Sequence, residues 1–158
     1  MNAPEQWRLP DVQAIADCRN VYINRVGVKA LVHPLRIAAA GGDAVPTVAS
    51  VDMTVGLPPE VKGTHMSRFV EVLQQCDEAI DPPAFARLLE GMLQRLGAES
   101  GMIEMRFPYF IRKRAPVSGV ESLLDYRVMF RGEQTPAGPA FTTRVSAPAT
   151  SLCPCSKE

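Results

Sequence analysis

Two cysteines separated by one proline, Cys153-Pro154-Cys155, are the residues of this 158-residue sequence best equipped for chemistry. The proline stiffens the backbone between the two thiols. A thiolate is a soft ligand suited to zinc and other late transition metals, and a thiol beside a metal can give or take a proton. Cys-x-Cys alone has little specificity and, without context, reads as a pair of reduced thiols. Here it sits inside Thr150-Ser151-Leu152-Cys153-Pro154-Cys155-Ser156-Lys157-Glu158, just after an apparent strand.

Two further groups could meet an anion. His65 and Arg68 fall in Lys62-Gly63-Thr64-His65-Met66-Ser67-Arg68-Phe69 at the start of an expected helix, where free N–H groups and Lys62 favour negative charge. The plainer reading, a turn into the helix with a surface histidine, stands beside it. Arg112-Lys113-Arg114 is a basic run at a strand end, the kind of local cluster a triphosphate requires, although such runs are usually solvated. Glu104, Glu121 and Asp125 are single carboxylates without a second carboxylate at a diagnostic spacing. Cys76 reads as core, Cys18 as a loop thiol and His33 as structural or surface.

Composition restricts the function classes. Lys and Arg together number 17, as do Asp and Glu, so the formal net charge is zero. That argues against binding nucleic acid or a membrane surface through bulk charge. With 46% hydrophobic residues the chain can build a core as one domain, burying about 70% of its unfolded surface. Met1 to Arg8 contains no apolar signal segment, and no stretch approaches the roughly 20 apolar residues of a membrane span. Four cysteines in a chain of this length do not form a disulfide scaffold. The expected location is the cytoplasm.

The elements that must position these residues follow from periodicity. Residues 1–23 read as an N-terminal arm, 24–150 as the folded unit and 151–158 as the Cys-Pro-Cys segment. Val26 to Ile37 is a strand whose apolar set changes face near Pro34, with a bulge or a face switch expected there. Gly41-Gly42-Asp43 marks a turn into a second strand, Val45 to Val55, completing a hairpin. A helix capped by Thr64 should carry Phe69, Val72, Leu73, Cys76 and Ile80 on one face. Asp81 as N-cap and Pro82 at the first turn start a second helix running through Leu96, with Gly97 as its stop. Strands follow over Ile103–Phe107, extending towards Arg112, then Leu124–Phe130. After a turn-rich run from Glu133 to Pro139, a further strand covers Phe141–Val145. The class is α+β, an antiparallel sheet with two helices on one face.

The motifs together resemble the type IB GTP cyclohydrolases, the alternative first enzymes of folate biosynthesis. The resemblance rests on Leu9-Pro10-Asp11-Val12-Gln13, Asn24-Arg25-Val26-Gly27-Val28-Lys29, the Lys62–Phe69 segment, Lys113-Arg114-Ala115-Pro116-Val117-Ser118 and the nine residues ending at Glu158. It implies a tunnelling fold in ββααββ order, assembled as a homo-oligomer, a tetramer in the resembled family. The implied reaction converts GTP and water to 7,8-dihydroneopterin triphosphate and formate. By the same resemblance Cys153 is the ligand of a divalent metal, Zn²⁺ or Mn²⁺, and Cys155 shuttles a proton during opening of the guanine imidazole ring. His65, Arg68 and Lys113 would contact the substrate.

The family pattern continues beyond the glutamate with a Gly-Ala-His segment and further ligands, so the expectation at Glu158 is of a truncated pattern. This motivates an alternative, a catalytically incomplete tunnelling-fold module that binds and assembles without turnover. One thiolate rarely fixes a catalytic zinc, which normally takes three protein ligands.

Overall fold

The computed structural model describes Cys18, residues 20–41, residues 43–149 and Ser151. Among these, five strands and two helices follow in the order β1 (Ile23–Ala38), β2 (Ala44–Leu57), α1 (Met66–Gln74), α2 (Pro82–Leu96), β3 (Gly101–Arg114), β4 (Glu121–Thr135) and β5 (Gly138–Ser146). The strands form one sheet in chain order, with every neighbouring pair antiparallel. The fifth strand makes the order ββααβββ. No helix among the described residues is long and apolar enough to cross a membrane.

Alternation decides which face is buried. Ala49, Val51, Met53 and Val55 of β2, Ile103, Met105 and Phe107 of β3, and Val128 of β4 form one cluster with the helices. Phe69, Val72 and Leu73 of α1 and Phe85, Leu88, Leu89 and Met92 of α2 close it from above. Both helices therefore lie on one face of the sheet. Gly132 of β4 permits the approach of α2, because a Cβ there would come within 2.6 Å of the Phe85 ring. Phe85 meets Phe130 edge-on at 6.2 Å and Phe141 at 5.3 Å, a geometry aromatic rings favour.

The face switch in β1 occurs, but not at Pro34. Pairing with β2 is regular from Leu31 to Ala38 and shifts between Val28 and Leu31. Val28 lies opposite Met53 and Leu31 opposite Val51, so one extra residue is inserted. Ala30 takes φ 54° there.

The first helix is shorter than its apolar period suggests. It ends at Gln74, its N-cap is His65 rather than Thr64, and no side chain caps it. Ile80 is buried outside the helix, where its N–H donates to Arg36 O (2.7 Å) and its carbonyl accepts from Ala38 N–H (3.0 Å). The second helix matches its local signals: Asp81 accepts from Ala84 N–H at 2.7 Å, and Gly97 closes the helix at φ 62°. The expected turn-rich run narrows to Pro136-Ala137, with Glu133–Thr135 in β4 and Gly138 opening β5.

Beyond Arg106 the backbone pairing of β3 with β2 ends, with only the Thr47 hydroxyl donating across to Pro108 O at 2.8 Å, and before Arg127, β4 lacks β5. The segment from Phe110 to Asp125 is thus a two-stranded ribbon projecting from the sheet. Phe110, Ile111 and Leu123 are exposed on it.

Candidate functional site

His65 and Arg68 are brought together by the start of α1. His65 is its N-cap, and its carbonyl accepts from Arg68 N–H at 3.1 Å. Both residues line a depression of about 210 Å³ bounded by the end of β2 and the Gly97-Ala98 turn after α2. The first turn of α1 holds no acidic residue and no side-chain cap, so its partial positive charge favours an anion at that end even though the Arg68 N–H is already engaged. Thr64, expected as the cap, is buried in the wall of this depression.

Lys113 lies elsewhere. The His65 depression adjoins the start of β3, where Gly56 N–H donates to Ser100 O (3.0 Å). Lys113 stands a dozen residues further along β3, about 40 Å away at strand rise. Within one copy these candidate residues do not meet. The basic run around Lys113 is also partly committed. Arg112 pairs with Glu121 at 3.0 Å, and Arg114 donates to Gly119 O (3.2 Å) across the ribbon turn.

The helix-free face of the sheet carries a ladder of ion pairs that sequence reasoning did not assemble. Arg25 pairs with Glu133 (2.7 Å) and Glu133 with Arg131 (3.1 Å). Arg131 reaches Glu104 (3.6 Å), Glu104 also contacts Arg106, and Arg106 pairs with Asp52 (3.3 Å). Asp52 and Glu104 are buried although no helix covers them, because the arginine side chains lie over them. Strand register brings these charges together. Glu104 is opposite Arg131 and Asp52 opposite Glu104, so two acids stand side by side and the arginines offset their repulsion. The parity of the alternation was the available signal, since Asp52, Glu104 and Arg131 each alternate with the apolar set of their strand.

Cys76 packs against the core just past the end of α1. Burial pushes its thiol pKa up, and Glu78 and Asp77 add to the effect. It borders a groove of about 560 Å³ between the helices, where Glu78 holds Arg87 at 2.6 Å and raises the guanidinium pKa. His33 is half-buried opposite Ala49.

Cys153 and Cys155 lie outside the described residues. Among the described residues no group of three or more His, Cys, Asp or Glu side chains is arranged to hold a metal ion.

Residues 9–158 match a family model described as Type I GTP cyclohydrolase folE2. The chain is 57% identical over its whole length to GTP cyclohydrolase FolE2 1 of Dechloromonas aromatica, of which the match covers 60%. It is 50% identical over its whole length to GTP cyclohydrolase FolE2 of Azoarcus sp., covering 59% of that protein. A third relative, GTP cyclohydrolase FolE2 of Methylococcus capsulatus, is 52% identical over 97% of this chain and 57% of its own length. The chain thus spans about three-fifths of the length of these relatives.

Proposed function

The chain belongs to the type I GTP cyclohydrolase FolE2 family, and from that membership we propose that it acts in the conversion of GTP and water to 7,8-dihydroneopterin triphosphate and formate, the first step of folate biosynthesis. The observation that carries this reading is a family match running through every motif of the chain, from Leu9 to the Cys153-Pro154-Cys155 segment. Within the family we read the chain as type IB, with a tunnelling fold, working in the cytoplasm. The α+β sheet with both helices on one face is in keeping with that fold.

Cys153 is the proposed thiolate ligand of Zn²⁺ or Mn²⁺, and Cys155 the group that carries a proton as the imidazole ring opens. A bound metal would supply a water made nucleophilic near neutral pH. His65 and Arg68, at the uncapped start of α1, are proposed to hold the substrate together with Lys113. Because Lys113 stands about 40 Å from the His65 depression along β3, the reading includes a homo-oligomer, a tetramer as the family resemblance implies. In it, the α1 end of one copy meets the ribbon end of another.

Formate release from GTP by the purified protein, with Zn²⁺ or Mn²⁺ titrated in, tests the activity. Metal-dependent release that disappears in Cys153→Ala supports it. A folded, oligomeric protein that releases no formate at any metal concentration replaces it with the binding and assembly module.

A further inference from the structure

The helix-free face also carries two arginines that the ion-pair ladder does not use, Arg127 and Arg144, beside Arg106, which it does use. Arg106, Arg127 and Arg144 line one depression of about 460 Å³, together with Met129, Pro108 and Ser146. Register fixes their relation. Met129 of β4 is flanked by Arg106 of β3 on one side and Arg144 of β5 on the other, and Arg127 lies two residues along β4 on the same face. At ordinary strand spacing the α-carbons of Arg106 and Arg144 are roughly 10 Å apart, with Arg127 roughly 7 Å along β4 from Met129 between them. Three long cationic side chains can therefore converge over one methionine.

Their charges are unequally spent. Arg106 is shared between Asp52 and Glu104. Glu104, the acid that lines the depression, is buried and engaged by Arg106 and Arg131. Arg127 and Arg144 are exposed, and among the described residues neither has an acidic partner. In a chain of zero formal net charge, two nearby arginines over an apolar floor, without an acidic partner among the described residues, are a local feature rather than a by-product of a basic protein. The planar guanidinium fork suits bidentate hydrogen bonds to phosphate oxygens. Three cations spread over three strands fit an anion whose charge is distributed along a chain better than a single phosphate.

We propose that Arg127 and Arg144, supported by Arg106, form a polyphosphate-binding patch that takes the triphosphate chain of a nucleoside triphosphate. This rests on the reading of GTP as substrate. It assigns the phosphate contacts to the sheet face rather than to Arg112 and Arg114, which are engaged at the ribbon. Lys113 stands five residues beyond Pro108, which pairs with Arg127, so it lies roughly 17 Å further along β3 and on the opposite side-chain parity from Arg106 and Arg127.

The test is isothermal titration of inorganic tripolyphosphate, GTP and guanosine into the oligomeric wild-type protein, Arg127→Ala, Arg144→Ala and the double variant. Arg95→Ala, on the opposite face, serves as the control. The expected result is tripolyphosphate binding that weakens with salt, falls at least tenfold in the double variant and is unchanged in Arg95→Ala. GTP should lose affinity in parallel with tripolyphosphate, while guanosine binding should be untouched. The two arginines are exposed, so thermal unfolding curves of the variants should overlay the wild type. No tripolyphosphate binding by the folded wild type, or equal affinity in the double variant, would overturn the patch. Loss of tripolyphosphate but not GTP affinity would assign the patch to free polyphosphate and overturn its nucleotide role. Arginine-dependent tripolyphosphate and GTP binding without formate release would instead retain the patch and remove the cyclohydrolase reading.

Discussion

The Asp52 carboxylate accepts a hydrogen bond from the backbone N–H of Ala30 at 2.8 Å, across the bulge that turns β1 over. The same carboxylate holds Arg106, so one buried acid both fixes the bulge and anchors the polar ladder on the open face. Asp52→Ala leaves a backbone donor without its acceptor and should cost about 1–3 kcal/mol. Ala30→Gly should stabilise the protein by about 1 kcal/mol, since only glycine adopts a positive φ without a steric penalty. Urea unfolding of both variants checks the pair. Equal stability of Asp52→Ala and wild type would show that the bulge does not depend on the carboxylate.

Gly132 is where α2 rests on β4. An alanine there puts a methyl against the Phe85 ring, and overpacking of this kind typically costs about 1–3 kcal/mol. Gly132→Ala should unfold at lower urea. A Phe85→Leu change in the same chain should recover part of the loss, because it removes the ring the methyl strikes. A Gly132→Ala variant within 0.5 kcal/mol of wild type, by the usual spread for surface changes, would mean the helix can lift without penalty.

Separation of His65 from Lys113 along the sheet makes a prediction about mixtures. His65→Ala and Lys113→Ala should each reduce formate release by roughly a hundredfold, the scale of misplacing a bound substrate. Oligomers assembled from both variants together should regain part of the wild-type rate, because some sites then draw one intact residue from each copy. Verified mixed oligomers no more active than either parent would argue that the two residues do not share a site.

The raised pKa of Cys76 sets its reactivity and its pH dependence. At pH 7.5 an alkylating reagent followed by peptide mapping should modify exposed Cys18 well before Cys76. The folded state holds the Cys76 proton more tightly than the unfolded state does. Its contribution to stability is therefore present below the unfolded thiol pKa and is lost as pH rises from there through the folded value. Cys76→Ser should reduce the fall in stability at alkaline pH; an unchanged slope would remove Cys76 as its source.

The parts of the fold readable in sequence are those specified by neighbours in the chain. Asp81-Pro82 and Gly97 bound α2 correctly because capping is local, and alternation located all five strands. The bulge was misplaced because its determinant, Asp52, lies 22 residues away. The first helix looked too long because Ile80 continues its apolar period while being buried through backbone pairing with β1. In the candidate site, the motifs named His65, Arg68 and Lys113, but strand length placed them at opposite ends of β3. Arg127 and Arg144 escaped notice because each looks like an ordinary outward strand residue. Only the register of three strands puts them beside Arg106.

Sheet order has a further consequence, for the route by which the chain folds. Strands adjacent in the sheet are adjacent in sequence. The β1–β2, β3–β4 and β4–β5 pairs close over short connections, events on the order of 1–10 μs for hairpins. The β2–β3 seam must instead wait for both helices to be gathered between its strands. That longer closure carries more chain entropy, so the seam is expected to join two preassembled pieces last and to govern the folding rate.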